Sequence, residues 1–129
     1  MTFNKQVGSW PKAGQKTVLI ADDDPIARNL VRLTLEYDGY FVLAANDGLE
    51  AIAISRNFSA PIHALLTDIQ MPNMDGTELR RQLLVERPTT RVLLMSANES
   101  PIPNVPFVRK PFERAKLTEL LHRVLSTAE

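Results

Sequence analysis

Asp22-Asp23-Asp24, Asp68, Ser96 and Lys110 share one feature: each stands at the end of a short apolar run. The runs are TVLIA (17–21), HALLT (63–67), RVLLMS (91–96) and FVR (107–109). If they are parallel strands, three carboxylates, a hydroxyl and an ammonium reach one edge of one sheet, where open α/β sheets collect their ligands. Two carboxylates about 5 Å apart repel by roughly 3 kcal/mol at an effective dielectric of 20. Asp22, Asp23 and Asp68 together therefore demand cations, without which one of them takes up a proton. Lys110 supplies one positive charge. A hard divalent ion supplies the rest, and Mg²⁺ binds in this way, through one or two carboxylates plus phosphate oxygens and waters. Such a site suits a phosphoryl group. Asp68 could accept it, because a carboxylate can attack phosphorus and form an acyl phosphate. The ion and Lys110 would neutralise the equatorial oxygens, and Ser96 would hydrogen-bond one of them.

The elements that must position these groups are legible as an alternation. A further apolar run, YFVLAA (40–45), joins the four above, and runs apolar on both faces suit strands buried between two layers. Helical patterns lie between them: Ile26, Leu30, Leu33 and Tyr37 in 26–37; Leu49, Ile52 and Ala53 in 48–56; Leu79 and Leu83 in 77–86. The last helix is marked by Leu117, Leu120, Leu121, Val124 and Leu125. Asp24-Pro25 reads as an N-cap followed by Pro at the first helical position, Asp38-Gly39 closes that helix, and Asp75-Gly76 is a turn or cap. Strands alternating with helices imply right-handed crossovers and a five-stranded parallel sheet covered on both faces.

The chain of 129 residues, 44% hydrophobic and 23% charged, is long enough for one domain with a full core. It has no cysteine, which rules out disulfides and thiolate metal sites. Lys plus Arg equals Asp plus Glu at 15 each, so no global charge draws the chain to nucleic acid or anionic lipid. No apolar run approaches a membrane span, and the expectation is a cytosolic-type domain without a nucleic-acid or membrane partner. Residues 1–15 read as a flexible extension carrying a stray Trp10, with the domain proper at 16–129. His63 reads as a structural surface histidine and Arg80-Arg81 as a solvated face.

VLIADDDPIAR, LLTDIQMPNMDG, VLLMSAN and FVRKPF resemble, in order, the signatures of the response-regulator receiver domain of two-component signalling, over roughly 16–126. The resemblance implies a flavodoxin-like three-layer sandwich with strand order 2-1-3-4-5. It implies Asp68 as phosphoacceptor, loaded from a phosphohistidine on a histidine kinase or a histidine phosphotransfer protein. Asp22 and Asp23 would be the acid pair, with Asp23 the more direct Mg²⁺ ligand and Asp22 acting largely through water. The Gln70 carbonyl would be a further ligand, and Lys110 the phosphate-binding lysine before a cis proline. Ser96 would be the hydroxyl switch and Phe107 the aromatic one, shifting a two-state equilibrium toward an unknown effector. Such a domain loads and unloads its own phosphoryl group and is not a turnover enzyme.

The sequence departs from the family in one interval. Only fourteen positions separate Ser96 from Lys110, and they contain Pro101, Pro103 and Pro106. Each interior proline costs a helix about 3 kcal/mol, so the family's fourth helix is expected to be absent or cut to a turn. The face that this helix helps to build commonly dimerises or contacts the output partner. Its loss leaves the edge of the fifth strand, the proline loop and the first helix as routes for output. Ser96 stands where Thr is common and Phe107 where Tyr is common, and Gln70 and Asn98 occupy the positions that tune phosphate lifetime. The expectation is either a stand-alone receiver or one excised from a larger protein such as a hybrid kinase. A phosphohydrolase of the haloacid dehalogenase kind would need a second Asp where Gln70 stands. A pseudo-receiver scaffold and a phosphate sink remain as alternatives.

Overall fold

The computed structural model describes residues 10–98 and 102–126. Its element order is β1 (Thr17–Ala21), α1 (Pro25–Tyr37), β2 (Phe41–Ala45), α2 (Gly48–Asn57), β3 (Ala64–Asp68), α3 (Gly76–Glu86), β4 (Arg91–Ser96), β5 (Phe107–Arg109) and α4 (Arg114–Ser126). The five strands are all parallel, in the order β2-β1-β3-β4-β5. This is the flavodoxin-like arrangement expected from the sequence.

The strands read as unbroken apolar runs because both faces of the sheet are covered. Alternate side chains go to opposite layers. Leu19, Leu43, Leu65 and Leu94 join Ala51, Ile52, Leu79 and Leu83 of α2 and α3. Val18, Ile20, Val42, Leu66 and Leu93 join Val31 and Leu35 of α1 and Leu117 and Leu121 of α4. Three helices start on aspartates: Asp24 accepts from the Ile26 N–H, Asp47 from the Glu50 N–H and Asp75 from the Glu78 N–H. Each such cap stabilises its helix by about 1 kcal/mol. At the opposite end, Arg87 donates to the Ser55 hydroxyl and to the carbonyls of Ser55, Phe58 and Ala60, so the end of α3 clasps the end of α2.

The sequence reading of α1 needs correction. Ile26, Leu30, Leu33 and Tyr37 do not face the sheet; all four are exposed, and Val31, Thr34 and Leu35 are the buried set. The helix carries two apolar stripes, and only packing decides which is covered. Leu49 and Ala53 of α2 likewise face outward, with Ile52 and Ile54 inward. Trp10 is not a stray ring: it packs on Phe58 at 5.0 Å, and Phe58 in turn stacks on Phe41. Gln15 ties the same segment down by donating to the Gly39 carbonyl. Residues 1–9 and 127–129 lie outside the described residues.

Between β4 and β5 there is no helix among the described residues. Residues 102–106 form turns, with Asn104 at a φ of 67°, and Ile102 and Val105 pack against the α2–α3 side of the core. The proline-rich loop thus covers part of the sheet in place of a fourth crossover helix. Pro101 itself lies outside the described residues.

Candidate functional site

Register places the site. Ala21 of β1 pairs with Thr67 of β3, so Asp22 and Asp68 are the next residues along neighbouring strands. Asp68 pairs with Met95, which sets Ser96 one step beyond it, and Ser96 pairs with Arg109, which delivers Lys110 to the same edge. The Lys110 N–H donates to the Ser96 carbonyl at 2.7 Å, and the Lys110–Pro111 peptide is cis.

Carboxylate oxygens of Asp22, Asp23 and Asp68 lie within 4.8 Å of one another. The Lys110 ammonium bridges two of them, at 2.9 Å from Asp22 Oδ2 and 3.0 Å from Asp68 Oδ2. Asp22 is buried, Asp68 half-buried and Asp23 exposed. Backbone donors fix the other oxygens: the Asp24 N–H donates to Asp22 Oδ1 and the Ile69 N–H to Asp68 Oδ1. Both oxygens of Asp68 are therefore held, and its carboxylate cannot turn freely. Burial works against the charge on Lys110, but the hydrogen bonds and charges of Asp22 and Asp68 outweigh it and hold the ammonium above its ordinary range.

Three carboxylates outnumber the Lys110 ammonium and the Arg28 guanidinium, which donates to the Asp22 carbonyl at 2.7 Å, and an excess of negative charge remains at the edge. Asp23 has no side-chain partner among the described residues. A hard divalent cation would neutralise the excess, and an all-oxygen donor set is the kind that Mg²⁺ takes. The residues present fit that ion.

The β3–α3 loop returns to the strand end in a close approach. The Gly76 N–H donates to the Ile69 carbonyl at 2.7 Å, and a Cβ on Gly76 would stand 2.1 Å from the Asp68 carbonyl oxygen. Only glycine lets α3 begin so near the strand end. Gln70 lies in this loop and is exposed. Ser96 is buried at the end of β4, and its Oγ accepts from the Asn98 N–H. Phe107 is half-buried on the α2–α3 side of the sheet. Asp24 serves as helix cap, as expected. The structure thus brings Asp22, Asp23, Asp68 and Lys110 into contact distance, with Ser96 on the same edge and Phe107 on the strand beside it.

A parallel 2-1-3-4-5 sheet with an acid cluster and a lysine at its carboxyl edge defines a class of phosphate-handling α/β domain. The comparisons make the family specific. The model of the response regulator receiver domain matches residues 18–122, and the chain belongs to that family, a signalling module of two-component systems. Transcriptional regulatory protein TrcR of Mycobacterium tuberculosis is 33% identical over 116 residues, 84% of this chain and 44% of TrcR. The chain therefore spans less than half the length of that relative. Among solved structures, chemotaxis protein CheY4 of Vibrio cholerae is 29% identical with a TM-score of 0.79, covering 86% of this chain and 99% of CheY4. A CheX–CheY–BeF3–Mg²⁺ complex from Borrelia burgdorferi matches at 26% identity and a TM-score of 0.80, covering 89% of this chain and 93% of that one.

The expectation of no nucleic-acid partner is not borne out, since relatives in this family are named transcriptional regulatory proteins. Balanced charge describes only the stretch at hand, and those relatives extend well beyond it. No helix among the described residues is long and apolar enough to cross a membrane.

Sequence reasoning missed Asp47 and Asn73. Asn73 adopts a φ of 70°, and its Nδ2 donates to Asp47 Oδ2 at 2.6 Å. The Pro72-Asn73 pair in a loop was the available signal, because Asn is one of the few residues that enter the left-handed region readily.

Proposed function

We propose that the chain is a phosphoacceptor receiver in which Asp68 takes a phosphoryl group from a phosphohistidine on a histidine kinase or histidine phosphotransfer protein. The observation that carries this reading is the Asp22–Asp23–Asp68 cluster bridged by Lys110. Asp68 attacks phosphorus through a carboxylate oxygen; the P–N bond of the donor breaks, and its imidazole leaves with the electron pair and takes a proton. Lys110, already between Asp22 and Asp68, follows the new charge onto the phosphoryl oxygens. Asp22, Asp23, Asp68 and the Gln70 carbonyl would hold Mg²⁺, which when bound supplies neutralising charge for the phosphoryl oxygens. A related structure described as a Mg²⁺ complex supports that choice of ion. Ser96 would turn its hydroxyl toward a phosphoryl oxygen, and Phe107 would follow, shifting a two-state equilibrium. Such a domain works once per phosphoryl group and is not a turnover enzyme, and the cytoplasm is its expected compartment.

The exposed stripe of α1 supports the same reading. Ile26, Leu30 and Leu33 line an apolar groove that begins at Pro25, directly after Asp24 and beside the acid edge. A protein donor must reach that edge, and this apolar surface adjoins it, as does a second cavity lined by Asp22, Lys110, Phe112 and Leu117.

Intact mass after incubation with Mg²⁺ and acetyl phosphate tests the proposal, on wild type and Asp68→Asn in parallel. A single added phosphoryl group in wild type alone is expected. No addition in wild type, with Mg²⁺ binding confirmed, would instead favour a pseudo-receiver scaffold. A second reading, a phosphate sink, draws on the absence of a helix among the described residues between β4 and β5, which would alter the family's usual output and dimer face. In that case Asp68 loads, and no effector distinguishes the loaded form.

A further inference from the structure

The β3–α3 loop, 69–75, carries Gln70 and has few bonds of its own: the Met74 N–H donates to the Pro72 carbonyl, and the Gly76 N–H to the Ile69 carbonyl. Its ends are fixed by the Ile69 N–H, which donates to the Met95 carbonyl, and by Asp75, which caps α3; between them, the attachments are to the start of α2. The Asn73 amide donates to Asp47 Oδ2, while Asp47 Oδ1 accepts the Glu50 N–H as helix cap. One carboxylate is thus divided between two tasks. The Gly48 N–H donates to the Met74 carbonyl at 3.3 Å, and a Cβ on Gly48 would stand 2.6 Å from that same oxygen. The loop therefore rests on a shelf formed by the first residues of α2, and Asn73 enters the left-handed region to reach it.

We propose that Asp47 and Asn73 are positioning residues for the cation site: their hydrogen bond pins the loop so that the Gln70 carbonyl is presented beside Asp23 and Asp68. This rests on the Mg²⁺ reading above and adds to it two residues outside the acid cluster. Groups that orient a metal's ligands without touching the metal commonly change affinity by about 10–100-fold when removed.

Two substitutions separate this role from a structural one. Asn73→Gly keeps the left-handed backbone and deletes the amide. Asp47→Ser keeps an N-cap oxygen and deletes the one that Asn73 uses. Calorimetric titration with Mg²⁺ alone, on the full chain without phosphodonor, is the readout, beside the thermal midpoint of the ion-free protein. Each variant is expected to bind Mg²⁺ about tenfold more weakly, with the double variant no weaker than either single one and ion-free midpoints close to wild type. Unchanged Mg²⁺ affinity in Asn73→Gly, with wild type binding normally, overturns the positioning role and leaves the metal site standing. Additive losses in the double variant overturn it as well, because the residues would then act separately. Absence of Mg²⁺ binding in wild type overturns both the metal reading and this inference, and is recognised by the wild-type titration alone.

Discussion

Lys110 reaches Asp68 across 42 positions of sequence, its Nζ 3.0 Å from Oδ2, and the same ammonium holds Asp22 Oδ2 at 2.9 Å. Each acid would otherwise be left with a neighbouring negative charge and little water. Removing one partner of a buried pair costs several kcal/mol, and the Lys110 side chain is 23% exposed, which lessens the loss. Lys110→Met is expected to lose about 2 kcal/mol in urea unfolding without divalent ions, and Mg²⁺ should restore part of it. Phosphoryl loading should fall by roughly 10²–10³, the usual effect of deleting one charge-stabilising donor. Equal stability with and without Mg²⁺ would show that the ammonium is not the counter-charge of the cluster.

The outer stripe of α1 predicts a separation of donors. Ile26 is 80% exposed and Leu33 49%, so truncating them should change monomer stability by only about 0.5 kcal/mol. Ile26→Ala with Leu33→Ala is expected to slow transfer from a protein phosphohistidine about tenfold, the effect of losing an interface anchor. Loading from acetyl phosphate should keep its wild-type rate. Equal slowing with both donors would mean that the stripe shapes the site and does not dock the donor.

Gly76 has no room for a methyl group. A Cβ there meets the Asp68 carbonyl oxygen at 2.1 Å and Ile69 Cα at 2.9 Å, both backbone atoms that cannot swing away. Gly76→Ala should cost about 1–3 kcal/mol by overpacking, and should slow phosphoryl loading by moving the strand end that carries Asp68. A thermal scan and a loading time course read the two effects. A variant as stable as wild type would show that the loop yields without disturbing β3.

At the opposite edge of the sheet, His63 Nδ1 accepts the Thr17 N–H at 2.9 Å. Burial, then the nearby Lys16 charge, push its pKa below the ordinary 6.5, although the Thr17 backbone pulls the other way. The folded state thus favours the neutral ring. Its contribution to stability is complete above pH 6.5 and declines as pH falls below that value, because the unfolded chain binds the proton first. His63→Asn keeps an acceptor that does not titrate, so between pH 7.5 and pH 5.5 it should lose less stability than wild type in urea titrations. Carboxylates affect both proteins alike and cancel. Identical losses would remove His63 from the pH response.

The acid edge was the most legible part of the sequence, because strand ends bearing Asp22, Asp23, Asp68, Ser96 and Lys110 need only the parallel order to converge. Prolines 101, 103 and 106 likewise signalled that no helix would form there, and none does among the described residues, since proline acts on the backbone wherever it stands. The face of α1 was not legible. Ile26, Leu30, Leu33 and Tyr37 keep helical spacing as faithfully as Val31, Thr34 and Leu35, and the buried set includes a threonine whose hydroxyl is satisfied by the Leu30 carbonyl. Periodicity locates a stripe and says nothing about which of two stripes meets the sheet. Nor could spacing reveal that Asn73 and Asp47, 26 residues apart, share a hydrogen bond. That contact depends on how a loop folds back over a helix start.

Trp10 is the chain's one tryptophan; it seats on Phe58, which stacks on Phe41 at the end of the sheet where the strands begin. Its emission therefore reports whether the N-terminal segment is seated on the core. The acid cluster proposed to bind the ion and the phosphoryl group stands where the strands end, at the other end of the sheet. A fluorescence titration with Mg²⁺ would stay flat even at saturation, while an unfolding curve followed by the same light would be well resolved. An optical assay of loading needs a reporter placed on the β4–β5 side, where the acid edge is within reach.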